Sequence, residues 1–315
     1  MSKYLKYRIP YNLINEALKN YKNLVIFLDL NSIARGFYNR DVILSELNNY
    51  VESKQLPTLL IKELKEFLNN LHSSYKRFNP KFCIFYDLGF NEQNKSVSNS
   101  YKINRTNETK TYLIDDEERA LYYQIKQYYF EEINKQFNIK GLCKVVFLDK
   151  YESDFVPFYF INKYNFTKDP NTMNLVLSVD KDLLQCCQLP NTFQAISVYL
   201  KSESRIDSVL YNDINAVKYL SKTFQPDNFI TSKYIPLILA LAGDKSDGID
   251  GIKKGLGVVS VIKMIKLYNL PSDFNITQIL PNDINPYKLN IQTNLSLTSF
   301  ERQISRIPQQ VLDTI

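Results

Sequence analysis

Four apolar segments of this sequence each lead into acidic residues. Residues 24–28 are followed by Asp29, residues 82–86 by Asp87, residues 144–148 by Glu152 and Asp154, and residues 174–179 by Asp180 and Asp182. Carboxylates gathered without histidine or cysteine ligands favour hard cations such as Mg²⁺ or Mn²⁺. Two such cations can activate water and neutralise a phosphate, so the chemistry indicated is phosphodiester hydrolysis.

The spacing of the acids supports their convergence. Glu152 and Asp154 are two residues apart, as are Asp180 and Asp182, so each pair shares one side of an extended chain. A further pair, Asp244 and Asp247, is three apart and shares a face if that turn is helical. Crowded carboxylates raise one another's pKa values, so a bound cation is expected. The candidate metal ligands are Asp29, Asp87, Glu152, Asp154, Asp180, Asp182, Asp244 and Asp247.

Each of these acids alone has a simpler interpretation. An aspartate after a strand often caps the next helix or forms a turn. Eight acids in matched places are much harder to explain in that way.

The elements that must position these acids follow from the apolar pattern. The four segments are continuous rather than alternating, which is typical of buried parallel strands. Helical patterns separate them, for example residues 59–71, 117–137 and 154–164, and a leading helix is expected within residues 1–22. This alternation predicts an α/β fold whose central sheet is mostly parallel and has helices on both faces. Sites of such sheets lie at the carboxyl ends of the strands.

Composition excludes several other classes of function. The only histidine, His72, argues against a Ser-His-Asp hydrolase, and four cysteines without a C-x-x-C pair argue against a zinc site. Unpaired cysteines indicate a reducing, cytoplasmic compartment. No apolar run is long enough to span a bilayer, so no membrane partner is expected. The net charge of +6 includes the acids of the metal site, so the remaining surface is more basic and suits a polyanion.

Five motifs, in order, resemble those of the phage and bacterial 5′-nuclease (flap endonuclease, 5′→3′ exonuclease) family, most closely its phage ribonuclease H type. They comprise residues 27–34 around the first aspartate, the Tyr-Lys-x-Asn-Arg block at 101–105, the Tyr-Glu-x-Asp segment at 151–154, Ser-x-Asp-x-Asp at 178–182, and Gly-Asp-x-Ser-Asp at 243–247.

The resemblance implies a two-metal enzyme with a helical arch and a helix-hairpin-helix. We therefore expect an α/β nuclease core over residues 1–242, with the arch at about 88–130, and a helical subdomain over 243–315. It implies cleavage at 5′ ends or flaps of DNA or RNA–DNA hybrids, as in primer removal during replication and repair. The eight acids match its metal-binding acids, Lys102 and Arg105 its arch-base cations, and Tyr101 the neighbouring aromatic residue.

The chemistry of the residues that the resemblance matches indicates which substrate contacts to expect. Lys102 would polarise the scissile phosphate, Arg105 would clamp it through its planar guanidinium, and Tyr101 would stack on an unpaired base. Asp180 is central to the acid cluster and is expected to be essential for catalysis. Residues 251–257 are glycine-rich and predict a phosphate-binding turn, with contacts expected from Lys253, Lys254, Gly255 and Gly257. A solvated loop and an ordinary helix–helix turn are the simpler alternatives for these two segments.

One departure from the family pattern concerns Phe155, which stands where phage members usually have a second aspartate. Its spacing from Phe158 and Tyr159 predicts that it packs in the core and that the direct ligands remain.

Two other functions compete with this one. A single-strand ribonuclease of the PIN type also gathers carboxylates on an α/β sheet, and a catalytically weak structure-specific DNA-binding protein would explain Phe155. We expect a monomer acting on DNA with a 5′ end, flap or RNA primer, with a replication single-strand-binding protein or clamp as a candidate partner. For a phage protein, the compartment would be the host cytoplasm.

Overall fold

The protein is described by a computed structural model. The residues that it describes are 7, 9–34, 45, 58–87, 92–98, 101–102, 116–200, 205–222, 225, 229–275, 281–282 and 284–315.

A six-stranded mixed sheet forms the centre of the described fold. Its strands are β1 (Asn23–Asp29), β2 (Lys81–Asp87), β3 (Cys143–Leu148), β4 (Thr172–Leu177), β5 (Thr192–Leu200) and β6 (Arg205–Tyr211). Their order is β3-β2-β1-β4-β5-β6, and every neighbouring pair is parallel except β5 and β6. The mostly parallel sheet predicted from the sequence is therefore confirmed.

Helices connect and flank the strands. They are α1 (Tyr11–Leu18), α2 (Leu30–Ile33), α3 (Leu59–Tyr75), α4 (Glu92–Val97), α5 (Asp116–Phe137), α6 (Val156–Lys163), α7 (Asn165–Lys168), α8 (Val217–Leu220), α9 (Ile235–Ala242), α10 (Val258–Tyr268), α11 (Lys288–Thr298), α12 (Phe300–Ile304) and α13 (Gln309–Leu312). A two-stranded ribbon, β7 (Gly243–Asp244) with β8 (Ile249–Asp250), lies between α9 and α10. No described helix combines the length and apolar character needed to cross a membrane.

The central strand β1 contributes to a core on each face of the sheet. Leu24, Ile26 and Leu28 pack in one cluster with residues of α3 and α5. Val25 and Phe27 point the opposite way and pack in another cluster with residues of α6. This alternation follows from the pleat, in which successive side chains face opposite sides. Helices therefore cover both faces, and a third cluster joins α9, α10 and α11.

Several boundaries differ from those predicted. The fourth strand begins at Thr172 and ends at Leu177, two residues earlier than residues 174–179. The third predicted helix begins at Val156 instead of residue 154. Strands β5 and β6 were not predicted, because they lack the continuous apolar pattern of the other four. Parts of the segment expected to form the arch, including residues 103–115, lie outside the described residues, and the division at residue 242 stays a prediction.

Phe155 is buried where helix α6 begins. Its side chain is 1% exposed and belongs to the cluster that contains Phe158 and Phe300. Pro157 stands in the first turn of α6, where an N–H would have no helical partner. Phe155 thus fills core space, as its spacing predicts.

We predict that Phe155→Asp lowers the free energy of unfolding by about 3–5 kcal/mol, the usual cost of truncating a buried phenylalanine. Urea unfolding would measure the change. Phe229→Asp is the matched control, because Phe229 is 41% exposed. Equal losses at both positions would contradict the core role of Phe155.

Candidate functional site

The acid cluster begins at the carboxyl ends of β1 and β2. Asp29 is the last residue of β1, and its carboxylate accepts hydrogen bonds from the backbone N–H and the hydroxyl of Ser32 and from the hydroxyl of Ser178. Asp87 ends the neighbouring strand β2 and accepts from the N–H and the hydroxyl of Ser153, both at 2.8 Å. Both carboxylates are almost fully buried. Their oxygens are thus held in fixed directions at one edge of the sheet.

Two further acids come from the segment after β3. Glu152 is buried and accepts hydrogen bonds from the Tyr101 hydroxyl at 2.8 Å and from Asn94 Nδ2 at 3.2 Å. Asp154 lies two residues further on. Burial raises its pKa well above the ordinary aspartate value, and the charge of Asp180 raises it further. The charges of Asp87 and Asp29 also raise the pKa of Asp154. Asp29, Asp87, Asp154 and Asp180 therefore lie close enough to interact electrostatically.

The third contribution follows β4. Ser178 Oγ accepts from the Asp180 N–H at 2.9 Å, and Asp180 Oδ1 accepts from the Asp182 N–H at 2.9 Å. These bonds turn the chain so that both acids remain at the carboxyl edge. Desolvation raises the pKa of Asp182 well above its usual value, and the charge of Asp180 adds to the effect.

A group of three aspartates forms beside the first group. Asp182, Asp244 and Asp247 offer oxygens that all lie within 4.8 Å of one another. Asp244 immediately precedes a short 3₁₀ turn and Asp247 is its last residue, so the turn between them is helical, the condition under which the sequence predicted a shared face. Asp182 Oδ1 is buried and has no hydrogen-bond partner. An all-oxygen donor set with an unpartnered buried oxygen fits a hard divalent cation.

Close backbone packing positions Asp244. A Cβ added to Gly243 would lie 2.3 Å from the Gly251 nitrogen, and one added to Gly251 would lie 2.5 Å from the Ala242 oxygen. Gly243 also has φ +83°, which disfavours other residues. Only glycines therefore allow the ribbon that joins the acid group to the residues of the predicted hairpin.

Two lysine ammonium groups lie among the carboxylates. Lys102 Nζ bonds Glu152 and lies 3.9 Å from Asp247 Oδ2. Lys181 Nζ lies 2.7 Å from Asp244 Oδ2 and 2.9 Å from Ser246 Oγ. Burial alone would raise the pKa of Asp244, but the contacts with Lys181 and Ser246 outweigh it, and the pKa is lowered.

All eight acids predicted as metal ligands therefore lie in connected groups at one edge of the sheet. Tyr101 is buried beside Ile249 and Leu297, with its hydroxyl on Glu152, and its stacking role stays a prediction. Arg105 lies outside the described residues. The turn before α10 contains Lys253, Lys254, Gly255 and Gly257, all of which are exposed and none of which belongs to the acid groups.

Sequence reasoning did not identify the residues that orient the acids. These are Ser32, Asn94, Ser153, Ser178, Lys181 and Arg306, the last of which donates to Asn94. Most of these contacts join residues more than fifty positions apart, so local spacing carries no signal for them. The exception is Ser32, which lies only three positions from Asp29.

Comparisons with known proteins support the fold. No protein-family profile matches the sequence, and no curated protein is similar to it. Solved structures do match: a bacteriophage T5 protein co-crystallised with metal ions has 17% identity and a TM-score of 0.61, covering 92% of this chain and 96% of that chain. A T5 5′-exonuclease with bound zinc has 16% identity and a TM-score of 0.59, with the same coverage. A T5 flap endonuclease in a pseudo-enzyme–product complex with DNA and metal ions has 17% identity and a TM-score of 0.60, again with that coverage.

The resemblance expected from the sequence is thus confirmed at the level of fold. Over nine tenths of its length, this chain shares the fold of the T5 5′-exonuclease and of the T5 flap endonuclease.

The raised pKa values lead to a prediction for the metal-free protein. Burial raises the pKa of Asp29 to about 6, so the folded protein binds a proton there that the unfolded chain has already released. Stability contributed by such a group is lost as pH rises through the folded pKa. We expect the midpoint temperature of thermal unfolding in EDTA to decrease as pH rises from about 4, where an unperturbed aspartate titrates, to just above the folded pKa of Asp29 at about 6.

Adding Mg²⁺ or Mn²⁺ should reverse this loss more strongly at pH 8 than at pH 5, because cations bind the ionised carboxylates. Differential scanning fluorimetry across pH, with and without cation, would measure both effects. An equal cation effect at both pH values would argue against metal binding by these groups.

Proposed function

We propose that this protein is a divalent-metal-dependent 5′-nuclease that hydrolyses phosphodiesters at 5′ ends or flaps of DNA or RNA–DNA hybrids. Primer removal in replication and repair is the process that such an activity serves. The observation that carries the proposal is the convergence of eight acids, from five separate segments, at the carboxyl edge of a sheet with this fold.

The acids would hold two cations, Mg²⁺ or Mn²⁺. Asp182, Asp244 and Asp247 suit one site because their oxygens already lie within 4.8 Å of one another. Asp29, Asp87, Asp154 and Asp180 suit the other, with Glu152 beside them. Bound cations would supply an activated water and neutralise charge at the phosphate. No histidine base is then needed, which agrees with the presence of only one histidine, His72, in the sequence.

Two contacts and its burial support a role for Lys102 at the scissile phosphate. Its ammonium lies between Glu152 and Asp247, and its side chain is only 14% exposed. A positive group held in a mostly buried place stabilises developing negative charge better than a solvated one. We infer that Lys102 polarises the phosphate, and that Arg105 clamps it through its planar fork. Asp180 would hold cation at the centre of the cluster, between Asp154 and Asp182.

The turn before α10 would bind the duplex part of the DNA substrate at a place separate from the reaction centre. Gly255 has φ +84°, and added Cβ atoms at Gly255 and Gly257 would meet nothing within 4 Å. Phosphate can therefore approach the backbone N–H groups and the N-terminus of the eleven-residue helix α10. Lys253 and Lys254 are exposed beside this approach and add positive charge. The segment is the proposed helix-hairpin-helix, and residues 88–130 are the proposed arch.

Cleavage of three labelled substrates separates the proposal from its rivals. We expect Mg²⁺-dependent cleavage of a 5′-flap DNA and of an RNA-primed duplex, with little cleavage of a hairpin RNA. Preferential cleavage of the single-stranded RNA loop would instead favour the PIN-type ribonuclease. Structure-specific binding without cleavage in Mg²⁺ or Mn²⁺ would favour the DNA-binding protein. Sedimentation of the protein, alone and with DNA, would test the proposed monomer.

We predict that Asp180→Asn reduces single-turnover cleavage by ~10²-fold or more, the usual loss when a preorganised charge is removed from a reaction centre. Binding of the same flap in Ca²⁺ should stay within about twofold, since affinity comes mainly from basic residues. Asp149→Asn is the matched control, because Asp149 is exposed. Near-normal turnover of Asp180→Asn would exclude the assigned role.

We predict that Lys253→Ala combined with Lys254→Ala weakens binding of duplex-containing substrates. The slope of log affinity against log salt should become less steep by up to about 2, one unit for each lost phosphate contact. A short single strand should bind almost as before. Fluorescence anisotropy over a salt series measures both effects. Equal losses of affinity for duplex and for single strand would show that these lysines do not form the duplex contact.

A further inference from the structure

An open groove lies at the edge of the sheet opposite the acids. Val25 near the start of β1, Lys81 and Phe82 at the start of β2, and Cys143 and Lys144 at the start of β3 all line it. In parallel strands these starts share one edge, while the acids follow the strand ends. A seven-residue strand such as β1 separates the two edges by about 20 Å. The groove is therefore distinct from the proposed metal centre.

The groove has an apolar floor and an exposed apolar rim. Its volume is about 450 Å³, and Val25, Phe82 and Phe160 are among the residues that line it. Three further lining side chains remain exposed: Ile139 by 48%, Leu142 by 37% and Phe166 by 39%. Contiguous exposed apolar side chains around a concave surface mark a binding site more often than scattered ones do.

Hydrogen bonds hold the rim in shape. The Phe82 N–H donates to the Leu142 oxygen at 2.8 Å, which ties the rim to β2. Ile139 and Cys143 pair as an isolated antiparallel bridge, and Gly141 takes φ +80° in the turn between them. Because little ordering is left to occur on binding, a ligand loses less free energy to fixing the protein.

The charges beside the groove are all positive. Lys81, Lys140 and Lys144 line it, and none of the described residues that line it is acidic. None of these three lysines forms a salt bridge with an acid in the part of the chain that the structure describes. Lys81 Nζ instead lies 4.8 Å from the centroid of the Phe166 ring, so a cation and an apolar surface adjoin each other.

We propose that this groove binds an acidic peptide segment of a partner protein, with one or two large apolar side chains in the groove and carboxylates on the lysines. Charge complementarity selects this occupant, and it does not depend on the proposed nuclease function. Protein–DNA interfaces are more polar than this surface, which disfavours nucleic acid as the occupant. A second copy of this chain is disfavoured by its net charge of +6.

The probe is a capped, fluorescein-labelled hexapeptide of four aspartates with one phenylalanine and one leucine between them. Fluorescence anisotropy would be measured in EDTA, so that metal binding plays no part. Peptides in which serine replaces both apolar residues, or asparagine replaces the aspartates, should bind at least about tenfold more weakly, a difference of ~1.4 kcal/mol.

Two surface variants test the location of binding. Ile139→Ser and Lys140→Glu alter exposed side chains, and each should weaken binding of the peptide by about tenfold or more. Lys65→Glu is the matched control, because Lys65 is exposed on α3, outside the groove, and should leave binding unchanged. Circular dichroism and thermal unfolding of each variant would show that the fold is retained.

Three results would overturn the proposal. The first is the absence of saturable binding up to about 1 mM peptide, because a dissociation constant of that size corresponds to a binding free energy of only ~4 kcal/mol. The second is an equal loss of single-stranded DNA affinity in Ile139→Ser and Lys140→Glu, which would make the groove a nucleic-acid site. The third is a concentration-dependent dimer in sedimentation velocity that Ile139→Ser abolishes, which would make it an interface between copies of this chain.

Discussion

Mutual repulsion among desolvated carboxylates is the interaction on which the rest of the structure depends. Burial raises the pKa values of Asp29, Asp154 and Asp182, and neighbouring acids raise them further. Such a group lowers stability at neutral pH unless positive charge compensates it. Lys102 and Lys181 supply part of that charge from within the chain. Divalent cations would supply more, and an arrangement so unfavourable without them is typical of a functional site rather than of a stabilising one.

Rigid neighbours keep the acids together despite this repulsion. Carboxylates at strand ends cannot move apart, because each strand is paired on both sides or packed against a helix. Serine hydroxyls and backbone N–H groups hold Asp29 and Asp87 in fixed orientations. Hydrogen bonds of this kind favour the ionised form and partly offset desolvation. The sheet thus sets the position of each acid, and its hydrogen-bond partners set the direction of its oxygens.

Sequence patterns predicted the strands that carry the acids, but not the two strands at one side of the sheet. Continuous apolar segments predicted β1 to β4, because buried parallel strands have apolar residues on both faces. Strand β6 reads Arg-Ile-Asp-Ser-Val-Leu-Tyr and has no continuous apolar run. The predicted end of β4 was wrong by two residues, because Ser178 leaves the strand and accepts the Asp180 N–H. A local turn that depends on one hydroxyl is invisible to apolar periodicity.

The segment from Glu152 to Phe155 shows how an apolar residue can follow two acids of the cluster without displacing them. Glu152 and Asp154 contribute to the acid cluster, whereas the intervening Ser153 donates both its hydrogen bonds to Asp87. Phe155 then begins the first turn of α6 and is buried with Phe158 and Phe300 on the core side. An aspartate at this position would have to be accommodated in that apolar cluster, at a considerable cost in free energy. The cluster itself packs against β1 through Phe27 and Phe160, whose rings meet edge to face at 5.5 Å. Phe155 therefore supports the strand that carries Asp29, and an apolar residue at this position is compatible with Glu152 and Asp154 remaining in the acid cluster.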